Sequence, residues 1–87
     1  MIEREVMIKN RSGLHTRPAA MLVKVAAKFR SEFLIYKDGM EINGKSIIGV
    51  MTLAAEQGSK LDLRFEGDDE AEAAAAIIDL FERGFDE

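Results

Sequence analysis

From Lys60 to Glu66 every second residue is apolar (Leu61, Leu63 and Phe65). From Glu70 to Arg83 the apolar positions Ala71, Ala74, Ile77, Ile78 and Phe81 instead recur at intervals of three or four. That change of period predicts a strand with one buried face followed by a helix with one apolar stripe. The alanine run Ala73 to Ala76 reads as the close-packing part of the helix, and the acids in its first turns suit the helix dipole. The rest of the chain alternates in the same way. Met1 to Lys9 reads as a strand, with Ile2, Val6 and Ile8 on one side and Glu3, Glu5 and Lys9 on the other. Beyond the turn cluster Asn10 to Gly13, the spacing of Ala19, Leu22, Val23, Ala26 and Phe29 predicts a helix from about Thr16 to Lys28, with Pro18 tolerated in its first turn. Glu32 to Tyr36 and Met40 to Ile42 read as strands joined by a tight hairpin at Asp38-Gly39. Ser46 is placed to cap a short apolar helix from Ile47 to about Leu53, which Gln57-Gly58 closes off. The resulting order is βαββαβα. Strands and helices that each bury one face predict an α+β two-layer, open-faced sandwich, with helices on one side of the sheet and water on the other.

At 87 residues the chain has room for one domain, 1–87, and one core. With no cysteine it has no disulfides, thiolate metal sites or cysteine nucleophiles. No apolar run approaches the roughly 20 residues of a membrane span, and Glu3, Arg4 and Glu5 interrupt the place where a signal peptide's apolar stretch would lie, so a cytoplasmic protein without direct membrane binding is expected. Charge is unevenly spread: residues 1–45 hold nine basic and five acidic side chains, and residues 46–87 three and eleven. A net charge of −4 argues against nucleic acid as a partner. The basic half suits an acidic protein or a single phosphate better.

The one histidine, His15, stands in Gly13-Leu14-His15-Thr16-Arg17-Pro18-Ala19, where a loop passes into a helix. Unpaired N–H groups at a helix start attract an oxyanion, and a neutral imidazole is a competent nucleophile toward phosphorus. Arg17 can offer a planar fork of donors to a phosphoryl group, and Gly13 permits a sharp turn. From these residues alone a second reading stays open, in which His15 only caps the helix and Arg17 is solvated. A metal is not expected, because no second histidine or cysteine accompanies His15. Ser46 is accounted for as an N-cap, although the fold would also tolerate a phosphate there. Ile47, Ile48, Gly49, Val50 and Met51 are too uniformly apolar for one buried stripe. Some should face solvent beside Lys24, Lys28 and Lys45, as the centre of a transient interface with a basic rim.

Two motifs, Gly13 to Ala19 and Gly44-Lys45-Ser46-Ile47-Ile48-Gly49-Val50-Met51, together with the length and element order, make the whole chain resemble the HPr family. These are the histidine-containing phosphocarriers of the bacterial phosphoenolpyruvate-dependent sugar phosphotransferase system. The resemblance implies an antiparallel four-stranded sheet with three helices on one face, no cofactor, and a carrier rather than an enzyme. It implies that His15 accepts a phosphoryl group on Nδ1 from Enzyme I and passes it to IIA domains, with Arg17 and the Thr16 and Arg17 amides holding it. It implies a docking surface of Thr16, Arg17, Ala20, Lys24, Ala27, Ile47, Ile48, Met51 and Thr52 on a monomer. Ser46 resembles the regulatory serine that HPr kinase/phosphorylase modifies in some bacteria, where the product also serves a catabolite-control transcription factor. Thr16 and Gly49 replace an alanine and a lysine found in other members. A nitrogen-related branch of the same carriers is the alternative. A purely regulatory module is disfavoured by His15, and a small acylphosphatase by the lack of a phosphate loop with its water-orienting asparagine.

Overall fold

A computed structural model describes residues 1–87, in the order β1 (Ile2–Met7), α1 (Thr16–Ala26), β2 (Glu32–Lys37), β3 (Met40–Asn43), α2 (Ile47–Thr52), β4 (Lys60–Glu66) and α3 (Glu70–Glu82). A short turn at Gly84–Asp86 follows. The strands form one antiparallel sheet in the order β1-β4-β2-β3, so the segment of clearest alternation lies between two partners. Register follows the alternation: Val6 stands opposite Leu61 and Ile2 opposite Phe65, while Phe33 stands opposite Phe65 and Ile35 opposite Leu63. These side chains share one face, which the helices cover, so the two-layer expectation holds. The Phe33 and Phe65 rings stack with centroids 4.8 Å apart. Gly44 lies against that stack, where a Cβ would overlap the Phe33 ring. Lys37 pairs with Met40 across the two-residue hairpin, with Asp38 and Gly39 both at positive φ. No helix is long and apolar enough to cross a membrane.

Two expectations shift. α1 ends at Ala26 rather than Lys28, its last carbonyls closing into a turn through Lys28 N and Phe29 N. On α3 the buried stripe is Ala73, Ala74, Ile77, Leu80 and Phe81, leaving Ala71 exposed and Ile78 only half-buried. The alanine run offers apolar residues at every phase, so larger side chains further along set the rotation of the helix.

Asp69 precedes α3 but does not cap it with its side chain. Its carboxylate reaches the chain just before β2, accepting from the Arg30 and Ser31 backbone N–H groups at 2.9 Å each and from the Ser31 hydroxyl. The Ser31 hydroxyl bond and the Arg30 amide together pull its pKa from 3.8 down to about 2. A depressed carboxylate stabilises the fold above its ordinary pKa, and that contribution is lost as pH falls from about 4 through about 2. Asp69→Asn is therefore expected to lower the urea midpoint at pH 7, and the gap from the parent should narrow on acidification to pH 2. A gap independent of pH would mean that the charge of Asp69 is not what ties these segments together.

Candidate functional site

α1 opens on a residue that leaves its side chain uncommitted. His15 has extended backbone angles, its carbonyl accepts from Ala19 N at 2.9 Å, and its imidazole makes no capping bond. Pro18 contributes no N–H, so the Thr16 and Arg17 N–H groups are the free donors of the first turn, with no acceptor in the chain. The His15 ring is exposed beside them. The capping reading of His15 therefore has no hydrogen bond behind it. What remains is an accessible imidazole next to two open amides, an arrangement able to receive an oxyanion.

The loop before α1 is held in place from both sides. Gly13 is buried with φ +71°, and a Cβ there would overlap the carbonyl oxygen of Ala55, which accepts from Leu14 N at 2.9 Å. Asn10, also buried, donates through Nδ2 to Gly13 O at 2.8 Å and to Glu87 Oε1 at 2.9 Å, while its Oδ1 has no partner.

Arg17 is not free in solvent. Its Nη1 donates to Phe85 O at 3.1 Å and to Glu87 Oε2 at 3.2 Å. The Glu87 carboxylate also accepts from the Ser12 hydroxyl, and this bond, with those from Asn10 and Arg17, holds its pKa below the usual range. Sequence reading missed Asn10, Ser12, Phe85 and Glu87 as neighbours of the site. Asn10 and Ser12 read from the sequence as ordinary turn residues. Glu87 lies 70 positions from Arg17, with no pattern linking the two.

Ser46 caps α2 as expected, its Oγ accepting from Gly49 N at 3.1 Å. Of the apolar residues after it, Val50 is fully buried, whereas Ile47, Ile48 and Met51 are 39%, 76% and 44% exposed. Thr16, Arg17, Ala20, Lys24, Ala27 and Thr52 are exposed as well. α1 and α2 pack against each other, and His15 and Met51 line one shallow depression with Ser12 and Ala54. The basic rim is less complete than expected, because Lys45 Nζ donates to Phe29 O at 2.7 Å.

A family model described as the PTS HPr component phosphorylation site matches residues 2–83. The phosphocarrier protein HPr of Treponema pallidum is 45% identical over 87 residues, covering 100% of this chain and 99% of the relative. The phosphocarrier protein NPr of Proteus mirabilis is 46% identical over 85 residues, covering 97% and 94%. Among solved structures, HPr-C-His from Thermoanaerobacter tengcongensis superposes with a TM-score of 0.96 at 48% identity, covering 100% and 98%. An HPr dimer from the same organism gives 0.81 at 48% identity with full coverage of both chains, so the solved relatives lend no support to the expected monomer. With a family match across nearly all of its length and relatives that share its fold throughout, the chain belongs to the HPr family of phosphocarriers of the phosphotransferase system.

Proposed function

We propose that His15 is the phosphoryl acceptor, taking the group from phospho-Enzyme I onto Nδ1 and passing it to IIA domains of sugar permeases in the cytoplasm. The observation that carries this reading is the exposed imidazole at the uncapped start of α1. In the first transfer the donor–phosphorus bond breaks with its electron pair returning to the donor, and the Nδ1 lone pair of the neutral ring forms the new N–P bond. The second transfer reverses these roles, so the protein ends each cycle unchanged and acts as a carrier rather than an enzyme. The Thr16 and Arg17 amides meet the phosphoryl oxygens, and the Arg17 guanidinium offsets their charge.

Both partners dock on the surface formed by Thr16, Arg17, Ala20, Lys24, Ala27, Ile47, Ile48, Met51 and Thr52. The exposed Ile48 and Met51 support an apolar centre of the kind transient interfaces use. Each visit then needs only the free carrier, which we read as a monomer. Ser46 is the regulatory phosphorylation site in this reading. A phosphate there adds about two negative charges beside Ile47 and Ile48 and opposes an acidic partner. HPr kinase/phosphorylase and a catabolite-control transcription factor are the partners that would use it.

The sugar and nitrogen branches are separated by transfer rather than by resemblance, since the HPr and NPr relatives are 45% and 46% identical to the chain. Incubation with phosphoenolpyruvate and Enzyme I should give an acid-labile adduct of one phosphoryl group by intact mass. A sugar-type IIA should then discharge it. Discharge only by a nitrogen-type IIA would move the protein to the other branch, and no adduct at all would sink the carrier reading.

A further inference from the structure

The chain has five methionines and no cysteine, so thioethers are its only sulfur. Met21 is half-buried against the core. Met7, Met40 and Met51 are exposed to nearly the same extent, 45%, 43% and 44%, and Met1 more so. A thioether open to water can be oxidised, so exposure alone does not set Met51 apart. Position does. Met7 ends β1 and Met40 opens β3, whereas Met51 lies in α2, one turn on from the exposed Ile47 and Ile48 and on their face of the helix. It also lines the shallow depression that holds His15, whose other walls include Ser12, Ala54 and Ala55, small residues that leave room beside the sulfur.

We propose that Met51 is a reversible redox site: a hydroperoxide converts its thioether to the sulfoxide and so weakens docking of both partners while leaving the chemistry of His15 intact. This rests on the reading of the α1 and α2 surface as the docking site. A sulfur lone pair attacks the terminal peroxide oxygen, and the S–O bond forms as the O–O bond breaks. The electron pair leaves on the other oxygen, which takes up the proton of the attacked one through water and departs as water or an alcohol. Sulfur loses two electrons and the peroxide gains them. A dithiol reverses the change, becoming a disulfide while the oxygen leaves as water. The sulfoxide turns a flexible apolar side chain into a polar one with an acceptor oxygen. In the free protein that oxygen stays hydrated. Under a partner, beside Ile47 and Ile48, it loses its water, and the neighbouring Thr52 hydroxyl already donates to Ile48 O at 2.7 Å. The cost therefore falls on the complex and not on the fold.

The test treats the carrier alone with dilute hydrogen peroxide, removes the peroxide and locates the added oxygens by peptide mass. Phosphoryl acceptance from phosphoenolpyruvate and Enzyme I is then followed over a range of carrier concentrations. Oxidation at Met51 should raise the KM of Enzyme I for the carrier roughly ten-fold with little change in kcat, and a dithiol-driven methionine sulfoxide reductase should restore it. Loading by phosphoramidate, a small donor that needs no docking, should run at the same rate before and after treatment. The loss should persist when Met7→Leu and Met40→Leu are combined and vanish in Met51→Leu, each variant being compared with its own untreated sample. Met51→Asp, left unoxidised, checks the docking reading by itself and should also raise KM. A KM raised by Met51→Asp but not by the sulfoxide overturns the redox site alone. An unchanged KM in Met51→Asp overturns the docking reading and the redox site together. A loss that survives in Met51→Leu, or that extends to phosphoramidate, puts the damage elsewhere and overturns the proposal.

Discussion

His15→Ala is expected to accept no phosphoryl group from phospho-Enzyme I, a loss on the order of a thousand-fold or more, as removal of an attacking nucleophile gives. The fold should hardly register the change. His15 is exposed and its imidazole makes no capping bond, so the substitution falls among surface changes within about 0.5 kcal/mol. Few positions in the chain separate activity from stability so cleanly. The check is intact mass after incubation with phosphoenolpyruvate and Enzyme I, alongside a denaturation curve for the same sample. A folded variant that still gains an acid-labile group would place the acceptor elsewhere. A variant that unfolds would show that His15 contributes to the helix start in a way its missing hydrogen bond does not suggest.

Gly13→Ala should have the opposite profile, with a large cost in stability before any chemistry is asked of it. Its φ of +71° alone costs an alanine about 1–2 kcal/mol. The new Cβ would also overlap a backbone oxygen, Ala55 O, that already accepts from Leu14 N and cannot rotate away as a side chain could. A total of about 3 kcal/mol is expected, lowering Tm by roughly 15 °C for a domain of this size. Gly39→Ala is the control. Gly39 has a φ of +79° with nothing near its Cβ position, so only the conformational part, about 1 kcal/mol, should appear. Equal losses at the two glycines would mean that the loop before α1 gives way easily and that Ala55 does not fix it. Because that loop carries His15, the rate of phosphoryl acceptance should fall with stability at Gly13 and stay unchanged at Gly39.

The elements themselves were legible wherever side-chain period and turn chemistry agreed. The Leu61, Leu63, Phe65 alternation and the Asp38-Gly39 turn each specify a local geometry that the fold then adopts. Ser46 was legible for the same reason, since a cap acts within four residues. The phase of α3 was not, because a run of alanines supplies an apolar residue at every angle. The order β1-β4-β2-β3 was not legible either, as it depends on which distant strands meet. At the site, His15 and its helix start follow from adjacent residues, whereas the partners of Arg17 come from the far end of the sequence. Positive φ at Phe85 has no local signal, since a bulky side chain disfavours it.

The place of β4 in the sheet bears on how the protein is made. It is the last strand in the sequence, yet it supplies one neighbour to β1 and another to β2. A nascent chain that has emerged as far as Ser59 can build only the β2–β3 hairpin, and a lone hairpin is marginal in water. β1 then waits on the ribosome with no strand to join, exposing Val6 and Ile8. Folding of the sheet during synthesis is thereby deferred until β4 has emerged, and its assembly becomes a single step.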